Sequence, residues 1–582
     1  MKRFFVFFVS VCLCSCCTNS YVQDSMNLDF ELKDDNPRLP KYWYTGDHSY
    51  IISLDSIEKH SGLFSLKMEK LNKRNETSFG VFTGTLPVEI FAGKNVEYRG
   101  WIKTKDVKNG YAGLWLRVDG ENMEVLGFDN MYDRGLTGNN EWTQVSIKIE
   151  ISNEATNINY GGVFSGEGVV WFDNLELYVN GEKLIEPKLK VKLTRKDKKE
   201  LREYIYPLKT YEPDDGDSKD LEVLKKLIGN SKVIALGEVS HGSSEIFKMK
   251  NRIIQYLATN YGFDIFSIEG NMPEAYKLND YIVRGKGDPK KLIAGMYFWT
   301  WRTEEVLNMV EWMHRFNQPK QRISFTGFDM QFHEGAVNEL LDAFKENEDA
   351  TNRIANLKRI LVKIKTRAQY NHGMPSVGEN EMKEIDAILS FLQNSIETFP
   401  NKDWLQQNIV IIQQYLENNS SLWRDKCMAD NFLWIKEHNP NSKLVIWAHN
   451  AHIQKTDQMM GYHLAQKLGD DYITFGFTFY DGSFTAAGSN GLTSYNAQQG
   501  YPGTLEYLLE QLKEPVFILD LKRIKSENNK DTEWLTQRLA YRLVGSTGGD
   551  PNEFLGNKIS NDFDYLIFIK TSTPSALLSN SQ

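Results

Sequence analysis

The stretch KVIALGEVSHG, Lys232–Gly242, decides the fold of the larger part of this 582-residue chain. An apolar run of the kind that forms a buried strand ends there abruptly in ionisable residues. The same pattern recurs in three further runs, FDIFSI before Glu269, ISFTGF before Asp329 and KLVIWA before His449. Long segments with helical spacing separate the four runs. Strands that alternate with helices predict an α/β domain with a largely parallel sheet flanked by helices.

The polar residues that follow these runs are predicted to lie close together. Parallel strands expose their carboxyl ends on one edge of a sheet, and ligand crevices form just outside that edge. Neighbouring buried groups push one another's pKa values apart, so that one site can supply both an acid and a base. We therefore expect a shared site at this edge, formed by Glu238, His241, Glu269, Asp329, His449 and His452.

The spacing of Glu238 and His241 favours the activation of water. Glu238 lies three positions before His241, so a turn can bring carboxylate and imidazole together, which fixes the tautomer and raises the basicity of the ring. No G-x-S-x-G, H-E-x-x-H, P-loop or G-x-G-x-x-G pattern occurs in the sequence, which disfavours a serine nucleophile and nucleotide chemistry. We predict that His241 is a general base, and that imidazoles of the HNAH turn or a nearby cation stabilise the oxyanion.

Seven segments of this region resemble the erythromycin esterase family, in family order and over nearly the whole second domain. They are VIALGEVSHGSSEIFKMKNRIIQYL, GFDIFSIEGN, W-x-T-E-E-V-x-x-x-V-x-W-M from Trp301 to Met313, ISFTGFDMQ, LVIWAHNAHI, MMGYHLAQKLGDDY and FDYLIFIKTSTPSA. The resemblance implies hydrolysis of the lactone ester of a macrolide without metal or cofactor. It implies His241 as the base, supported by Glu238, and it matches Glu269, His449 and His452 to further site residues of the family.

One position departs from the family pattern. An arginine commonly follows the motif histidine by nine residues, and Lys250 stands there. Lysine supplies a positive charge without a planar fork, so substrate orientation can differ. We expect Lys250 to contact the substrate or the oxyanion. Asp329 is expected to line the pocket or orient a histidine, with a helix N-cap as the alternative.

Residues 27–180 show a different pattern, with short period-two runs separated by Gly, Asn and Asp. This predicts an antiparallel β-sandwich, and the segments NLDFE, HSGLFSLKM and VVWFDNLELYVNG resemble jelly-roll carbohydrate-binding and galactose-binding-like modules. Its tryptophans are expected in the core between the sheets and not in a sugar site: Trp101, Trp115, Trp142 and Trp171. A charged linker, 181–202, leads to the α/β domain, 203–582, which contains a helical insertion at about 334–426.

The first residues are typical of a bacterial lipoprotein leader. Lys2 and Arg3 precede a short apolar stretch, and LCSC at Leu13–Cys16 resembles a lipobox, which implies a signal peptide 1–15, acylation of Cys16 and a tether 16–26. We therefore expect an exported protein, anchored by lipid to a bacterial membrane on the periplasmic side or the cell surface. The net charge of -9 and pI of about 5.7 disfavour a nucleic-acid partner.

Taken together, these patterns predict an esterase that acts on a small-molecule ester or lactone, with macrolides and acylated glycans as the candidate substrates. Two alternatives stay open. The same Glu and His residues are ligand types of a divalent-metal hydrolase. The chain could also be a surface glycan-binding lipoprotein whose second domain is a scaffold without activity.

Overall fold

The computed structural model describes residues 26–31, 39–46, 49–70, 79–121, 124–184, 190, 192–213, 216–368, 374–488, 491–549 and 553–579. By its internal contacts the chain divides into two compact units, Met1–Leu189 and Lys190–Gln582. The predicted leader with Cys16 lies outside the described residues. None of the described helices is long and apolar enough to span a bilayer.

The first unit is built almost entirely of strands. Their bounds are β1 Tyr44–Gly46, β2 Tyr50–Asp55, β3 Ser65–Lys70, β4 Phe79–Thr85, β5 Asn95–Asp119, β6 Val125–Asp129, β7 Leu136–Glu150, β8 Asn157–Ser165, β9 Glu167–Val179 and β10 Glu182–Lys183, with one short helix, α1 Val88–Phe91. All described pairings among these strands are antiparallel.

The long strand β5 lies in the middle of the ten-stranded sheet of this unit and pairs with different neighbours along its length. Its residues 95–108 pair with β7 and β9, whereas residues 112–119 pair with β8 and residues 116–119 with β6. Apolar side chains of both halves, including Tyr98, Ile102, Leu114 and Leu116, pack into one core. The predicted antiparallel β-sandwich is confirmed.

The expectation that the sandwich tryptophans lie in the core between the sheets was wrong. Trp101, Trp115 and Trp142 are only partly buried, and Trp171, although buried, does not belong to the core that contains its strand neighbours Val170 and Phe172. Because side chains alternate between the faces of a strand, the buried Leu114 next to Trp115 leaves the tryptophan on the outer face. Trp101 is instead covered by the His60 ring, stacked at a centroid distance of 4.1 Å.

The second unit is an α/β fold around one mixed sheet. Its strands are β11 Ile205–Pro207, β12 Val233–Leu236, β13 Phe263–Asn271, β14 Ser324–Asp329, β15 Lys443–Trp447, β16 Tyr472–Gly488, β17 Gly491–Asn496, β18 Val516–Asp520, β19 Leu539–Arg542, β20 Phe554–Asn557 and β21 Tyr565–Ser572. The order across the main sheet is β11-β18-β21-β16-β12-β15-β13-β14. The pairings from β21 to β14 are parallel, and those of β18 with β21 and β11 are antiparallel.

Helices cover both faces of this sheet. Their bounds are α2 Arg195–Leu201, α3 Val223–Ile228, α4 Ser244–Tyr261, α5 Met272–Arg284, α6 Pro289–Ala294, α7 Glu304–Phe316, α8 Glu334–Phe344, α9 Glu348–Ala368, α10 Glu379–Ser395, α11 Lys402–Leu416, α12 Ser421–His438, α13 Asn450–Ile453, α14 Met460–Leu468, α15 Leu505–Glu510, α16 Leu521–Glu527 and α17 Ile559–Asp562. Alternate residues of β12 show the layering, because Val233 and Ala235 belong to one apolar core and Ile234 and Leu236 to the other.

The sheet order brings the predicted polar strand ends side by side. The four runs that precede the ionisable residues are β12, β15, β13 and β14, which are consecutive neighbours in the sheet. All three contacts between them are parallel, so their carboxyl ends share one edge. The predicted largely parallel sheet with flanking helices is confirmed, and the functional site is expected at this edge.

Candidate active site

A cavity of about 390 Å³ opens at the carboxyl edge of the four neighbouring strands. Its lining combines strand ends, an aromatic segment after α6 and one residue of α12: His241, Glu269, Phe298, Trp299, Thr300, Trp301, Gln331, Arg424, His449, His452, Gly545 and Ser546. The three imidazoles are close together. Ring centroids are 4.9 Å apart for His241 and His449 and 6.4 Å for His449 and His452.

Glu238 and His241 form a directly bonded pair just beyond β12. The Nδ1 atom of His241 lies 2.7 Å from Oε1 of Glu238, and the indole N–H of Trp447 donates to Oε2 at 2.6 Å. Burial raises the pKa of a carboxyl, but the nearby Lys250 and His241 outweigh it and lower the pKa of Glu238. The ionised carboxylate therefore favours the tautomer of His241 in which Nδ1 carries the hydrogen and donates it to Glu238. The basic lone pair of the ring is then on Nε2.

Lys250 stands behind this pair and not in the cavity. Its side chain is fully buried, with Nζ 2.9 Å from Oε2 of Glu238 and 4.2 Å from the Trp447 ring centroid. Burial lowers the pKa of Lys250 to about 8, against the opposing charge of Glu238. This position corrects the expectation that Lys250 contacts the substrate, because its ammonium group is directed at Glu238 and can act only through that carboxylate.

Glu269, at the end of β13, is a buried carboxylate with three partners. It accepts hydrogen bonds from Nη2 of Arg424 at 2.9 Å and from the main-chain N–H of His449 at 2.9 Å, and Nε2 of His452 lies 3.2 Å away. Burial alone raises its pKa, yet the charges of His452 and Arg424 hold the pKa of Glu269 well below the usual range. Glu269 is therefore ionised and cannot donate a proton.

His452 lies between two carboxylates. Its Nδ1 is 2.8 Å from Oδ1 of Asp425, and its Nε2 faces Glu269. Although burial lowers the pKa of an imidazole, the two carboxylates raise the pKa of His452 to about 10. The ring is thus an imidazolium at neutral pH, with both N–H groups used to bind carboxylates.

His449 is neutral and held by the main chain. Its Nε2 lies 3.0 Å from the carbonyl of Val544 and 3.3 Å from that of Val239, and the N–H of Ala451 donates to Nδ1 at 3.2 Å. Burial, together with the neighbouring charges of His241 and His452, lowers the pKa of His449 to about 4. With Nε2 protonated and bonded to carbonyl oxygens, the ring has no free lone pair for proton transfer.

Asp329 and Arg424 form the last part of the site, and Arg424 was missed by the sequence reasoning. Asp329 is fully buried and accepts from Nη2 of Arg424 at 2.8 Å and from Nε at 3.2 Å. It therefore does not line the cavity, and it does not cap α8, which begins at Glu334; its role is to hold the guanidinium. Arg424 sits on α12, in the predicted helical insertion, where nothing in the local pattern marks it as different from a surface cation.

The start of α12 determines where Arg424 is placed. Ser420 caps this helix by accepting a hydrogen bond from the N–H of Trp423. A Ser cap at this position fixes the first turn of the helix. Arg424 and Asp425, which follow that turn, therefore both lie beside the sheet edge. Oδ1 of Asp425 accepts hydrogen bonds from Nδ1 of His452 and from the main-chain N–H of Met460, both at 2.8 Å.

Within the described residues, no group of three or more His, Cys, Asp or Glu side chains is arranged to hold a metal ion. The site residues that could supply ligands are His241, Glu269, His449 and His452. The nitrogens of His449 and His452 are already bonded to protein oxygens, so coordination by these rings would require those bonds to break.

The comparisons place the second unit among known proteins. Residues 258–572, just over half of the chain, match the family model described as erythromycin esterase. This match begins after Glu238 and His241, which lie in the segment before it. The chain is 24% identical over 412 residues to YbfO of Bacillus subtilis (strain 168), which is named as a hydrolase, covering 62% of this chain and 89% of that protein.

A second relative is the erythromycin esterase type II of Escherichia coli, 25% identical over 337 residues, covering 48% of this chain and 76% of the relative. Two solved structures share the fold. A succinoglycan biosynthesis protein superposes with a TM-score of 0.55 at 26% identity, covering 66% of this chain and 99% of its own. A mutant of the erythromycin esterase EreC in its open conformation superposes with a TM-score of 0.50 at 16% sequence identity, covering 63% of this chain and 98% of its own.

The ion pairs of His452 predict a pH dependence of stability. The folded pKa of about 10 lies above the unfolded value of about 6.5, so this stabilisation is complete below about pH 6.5 and is lost as pH rises through 10. We expect His452→Gln to lower the melting temperature strongly at pH 7 and much less at pH 10.

The exposed His438 on α12 provides the control, since His438→Gln should lower the melting temperature little at either pH. Melting curves of parent and both variants across this range measure the effect. An equal loss for His452→Gln at pH 7 and pH 10 would contradict the assignment of His452 as an imidazolium.

Proposed function

Because the chain belongs to the erythromycin esterase family, we propose that this hydrolase cleaves a carboxylic ester or lactone with a water molecule that His241 deprotonates. The observation that supports this most directly is the bond of 2.7 Å between His241 Nδ1 and the buried Glu238. It leaves Nε2 as the basic atom of a ring that lines the cavity. Glu238 acts as a positioning residue, and Lys250 keeps it ionised.

The reaction proceeds in two steps. His241 Nε2 takes a proton from water while the water oxygen bonds to the carbonyl carbon, and the π electrons move to the carbonyl oxygen. The tetrahedral intermediate then collapses: the carbonyl re-forms, the ester C–O bond breaks, and the imidazolium returns its proton to the leaving alkoxide. The products are an acid and an alcohol, or one hydroxy acid if the substrate is a lactone.

The other ionisable residues of the site have supporting roles. His449 is neutral and bonded to main-chain carbonyls, so its ring supports the wall beside His241 without taking a proton. Glu269 and His452 are both ionised and bonded to each other, so neither competes with His241 as the base. This separation of protonation states is typical of sites that use a single base near neutral pH.

The cavity is suited to a small-molecule substrate. Its volume of about 390 Å³ falls within the range of roughly 300–1,000 Å³ that is usual for such sites. Phe298 and Trp299 supply an apolar wall, which favours an ester with a large hydrophobic or ring-shaped part. Macrolides and acylated glycans both meet this description, and the names of the erythromycin esterase relative and of the succinoglycan biosynthesis protein each support one of them.

The first prediction concerns the base. We expect the parent protein to add one water to at least one member of a panel of macrolides and acyl esters, detected by mass spectrometry. His241→Gln should lower kcat by about 10²–10⁴-fold, the usual contribution of a general base. The exposed His438→Gln serves as the matched control and should keep parental kcat. A folded His241→Gln variant with parental kcat would falsify the base assignment.

The second prediction separates this mechanism from the metal-dependent alternative. We expect activity to survive dialysis against a chelator, and the purified protein to contain far less than one equivalent of zinc or manganese. The reason is that the His449 and His452 nitrogens are bound to protein oxygens. Stoichiometric metal, together with loss of activity on chelation and recovery on addition of the metal, would establish the alternative.

The third prediction concerns location. We propose that the protein is exported and held at a bacterial membrane by lipid on Cys16, a proposal supported by Lys2, Arg3 and the LCSC segment. Cys16→Ser should move the protein from the membrane fraction to the soluble fraction, whereas Cys17→Ser should leave it in the membrane fraction. Identical fractionation of the two variants would argue against this anchor.

A further inference from the structure

We infer that Arg424 stabilises the oxyanion of the reaction, through its Nη1 atom. The inference rests on the proposed ester hydrolysis and names a residue that the family resemblance of the sequence did not suggest. It follows from how the three nitrogens of the guanidinium are used. Nε and Nη2 are bonded to Asp329, and Nη2 also to Glu269.

The third nitrogen, Nη1, is left for the cavity. Nη1 carries two hydrogens. Among the described contacts, its one hydrogen-bond neighbour is Nε2 of His452, at 3.2 Å, which uses at most one of them. Because Arg424 lines the cavity, at least one Nη1 hydrogen is left for a ligand there.

The guanidinium is also rigid. Two buried carboxylates fix two sides of its planar fork, with Asp329 on the strand end of β14 and Glu269 on that of β13. A donor that is held in place before the reaction costs no reorganisation when charge develops, which is the condition for effective oxyanion stabilisation. The imidazole N–H groups of His449 and His452 are also held in place, but they are not free, because they already bond to carbonyl and carboxylate oxygens.

The charges around the cavity do not favour an anionic substrate as such. Among the described residues, the carboxylates of Glu269, Asp329 and Asp425 pair with two cations, Arg424 and His452, which leaves one negative charge in excess. Glu238 and Lys250 cancel each other. An anionic oxygen in this cavity, whether it forms on a neutral ester or belongs to a phosphonate analogue, therefore depends on directed N–H groups such as Nη1 of Arg424.

Kinetics of Arg424→Gln test the inference. We expect kcat to fall by about 10²–10³-fold, the usual cost of losing one oxyanion donor, with KM within about threefold of the parent, because uniform binding is not affected. Binding of a phosphonate analogue of the substrate, whose anionic oxygen mimics the oxyanion, should weaken by a similar factor. The matched control is Lys426→Gln, which removes an exposed cation of the same helix and should leave kcat, KM and binding of the analogue unchanged.

Folding of the variants is checked by melting curves, because Arg424→Gln leaves two buried carboxylates without their cation. If that variant does not fold, Arg424→Lys replaces it: the charge stays, the planar fork is lost, and kcat should still fall at least about tenfold with KM little changed. A folded variant that keeps parental kcat, or that raises KM tenfold at unchanged kcat, overturns the inference.

The outcomes also separate this inference from the proposed function. If the parent hydrolyses esters and His241→Gln abolishes that activity while Arg424→Gln retains it, only the role of Arg424 is wrong. If the parent hydrolyses no ester of the panel and does not bind the phosphonate, the proposed function fails and the inference fails with it.

Discussion

A buried carboxylate is tolerated in a protein only when its charge is paired and its oxygens are hydrogen-bonded. Glu269 is such a carboxylate, and its partners bring two distant parts of the chain to the end of β13. The HNAH turn contributes the main-chain N–H of His449 and the ring of His452, and helix α12 contributes Arg424. Removing any one of these donors would leave a buried charge incompletely compensated, which typically costs several kcal/mol. Because the carbonyl of Glu269 also accepts the indole N–H of Trp301 at 3.1 Å, the aromatic segment is tied to the same residue.

This arrangement explains why two imidazoles within a few ångströms, His449 and His452, have different protonation states. His452 lies between two carboxylates and is charged, whereas His449 is bonded to neutral carbonyls beside other imidazoles and is uncharged. His241 is bonded to a separate carboxylate, Glu238, whose second oxygen is occupied by Lys250 and Trp447. The cationic part of the site and its basic part are thus supported by different carboxylates. The two parts remain electrostatically coupled, because the charge of His241 contributes to the lowered pKa values of Glu269 and His449.

The sequence predicted those parts of the site that follow from strand periodicity and short spacing. Buried strands that end in ionisable groups identify a sheet edge, and the two residues between Glu238 and His241 allow a turn, so both features were accessible without coordinates. Arg424 and Asp425 were not, because they lie on a helix of the insertion, and spacing does not reveal which helix packs against the sheet edge. Lys250 was misplaced for a related reason. Its spacing of nine residues from His241 was clear, but not that its side chain, nearly two turns into α4, is directed back at Glu238. The partial exposure of Trp101 and Trp142 depends in the same way on register, which sequence alone leaves undetermined.

The base and the aromatic wall of the cavity belong to different parts of the fold, which affects how such an enzyme can change its substrate. The base and its support come from β12 and its neighbours, where every side chain is fixed by packing on both faces of the sheet. The aromatic wall at Phe298 and Trp299 lies in a short segment between α6 and α7, anchored at one end by Trp301 and the N-cap Thr303. Phe298 and Trp299 share no hydrogen-bonded partner with Glu238 or His241 among the described contacts of their side chains. Substitutions in that wall can therefore alter the shape of the cavity while the base keeps its geometry, which is the arrangement expected when one chemistry serves different esters.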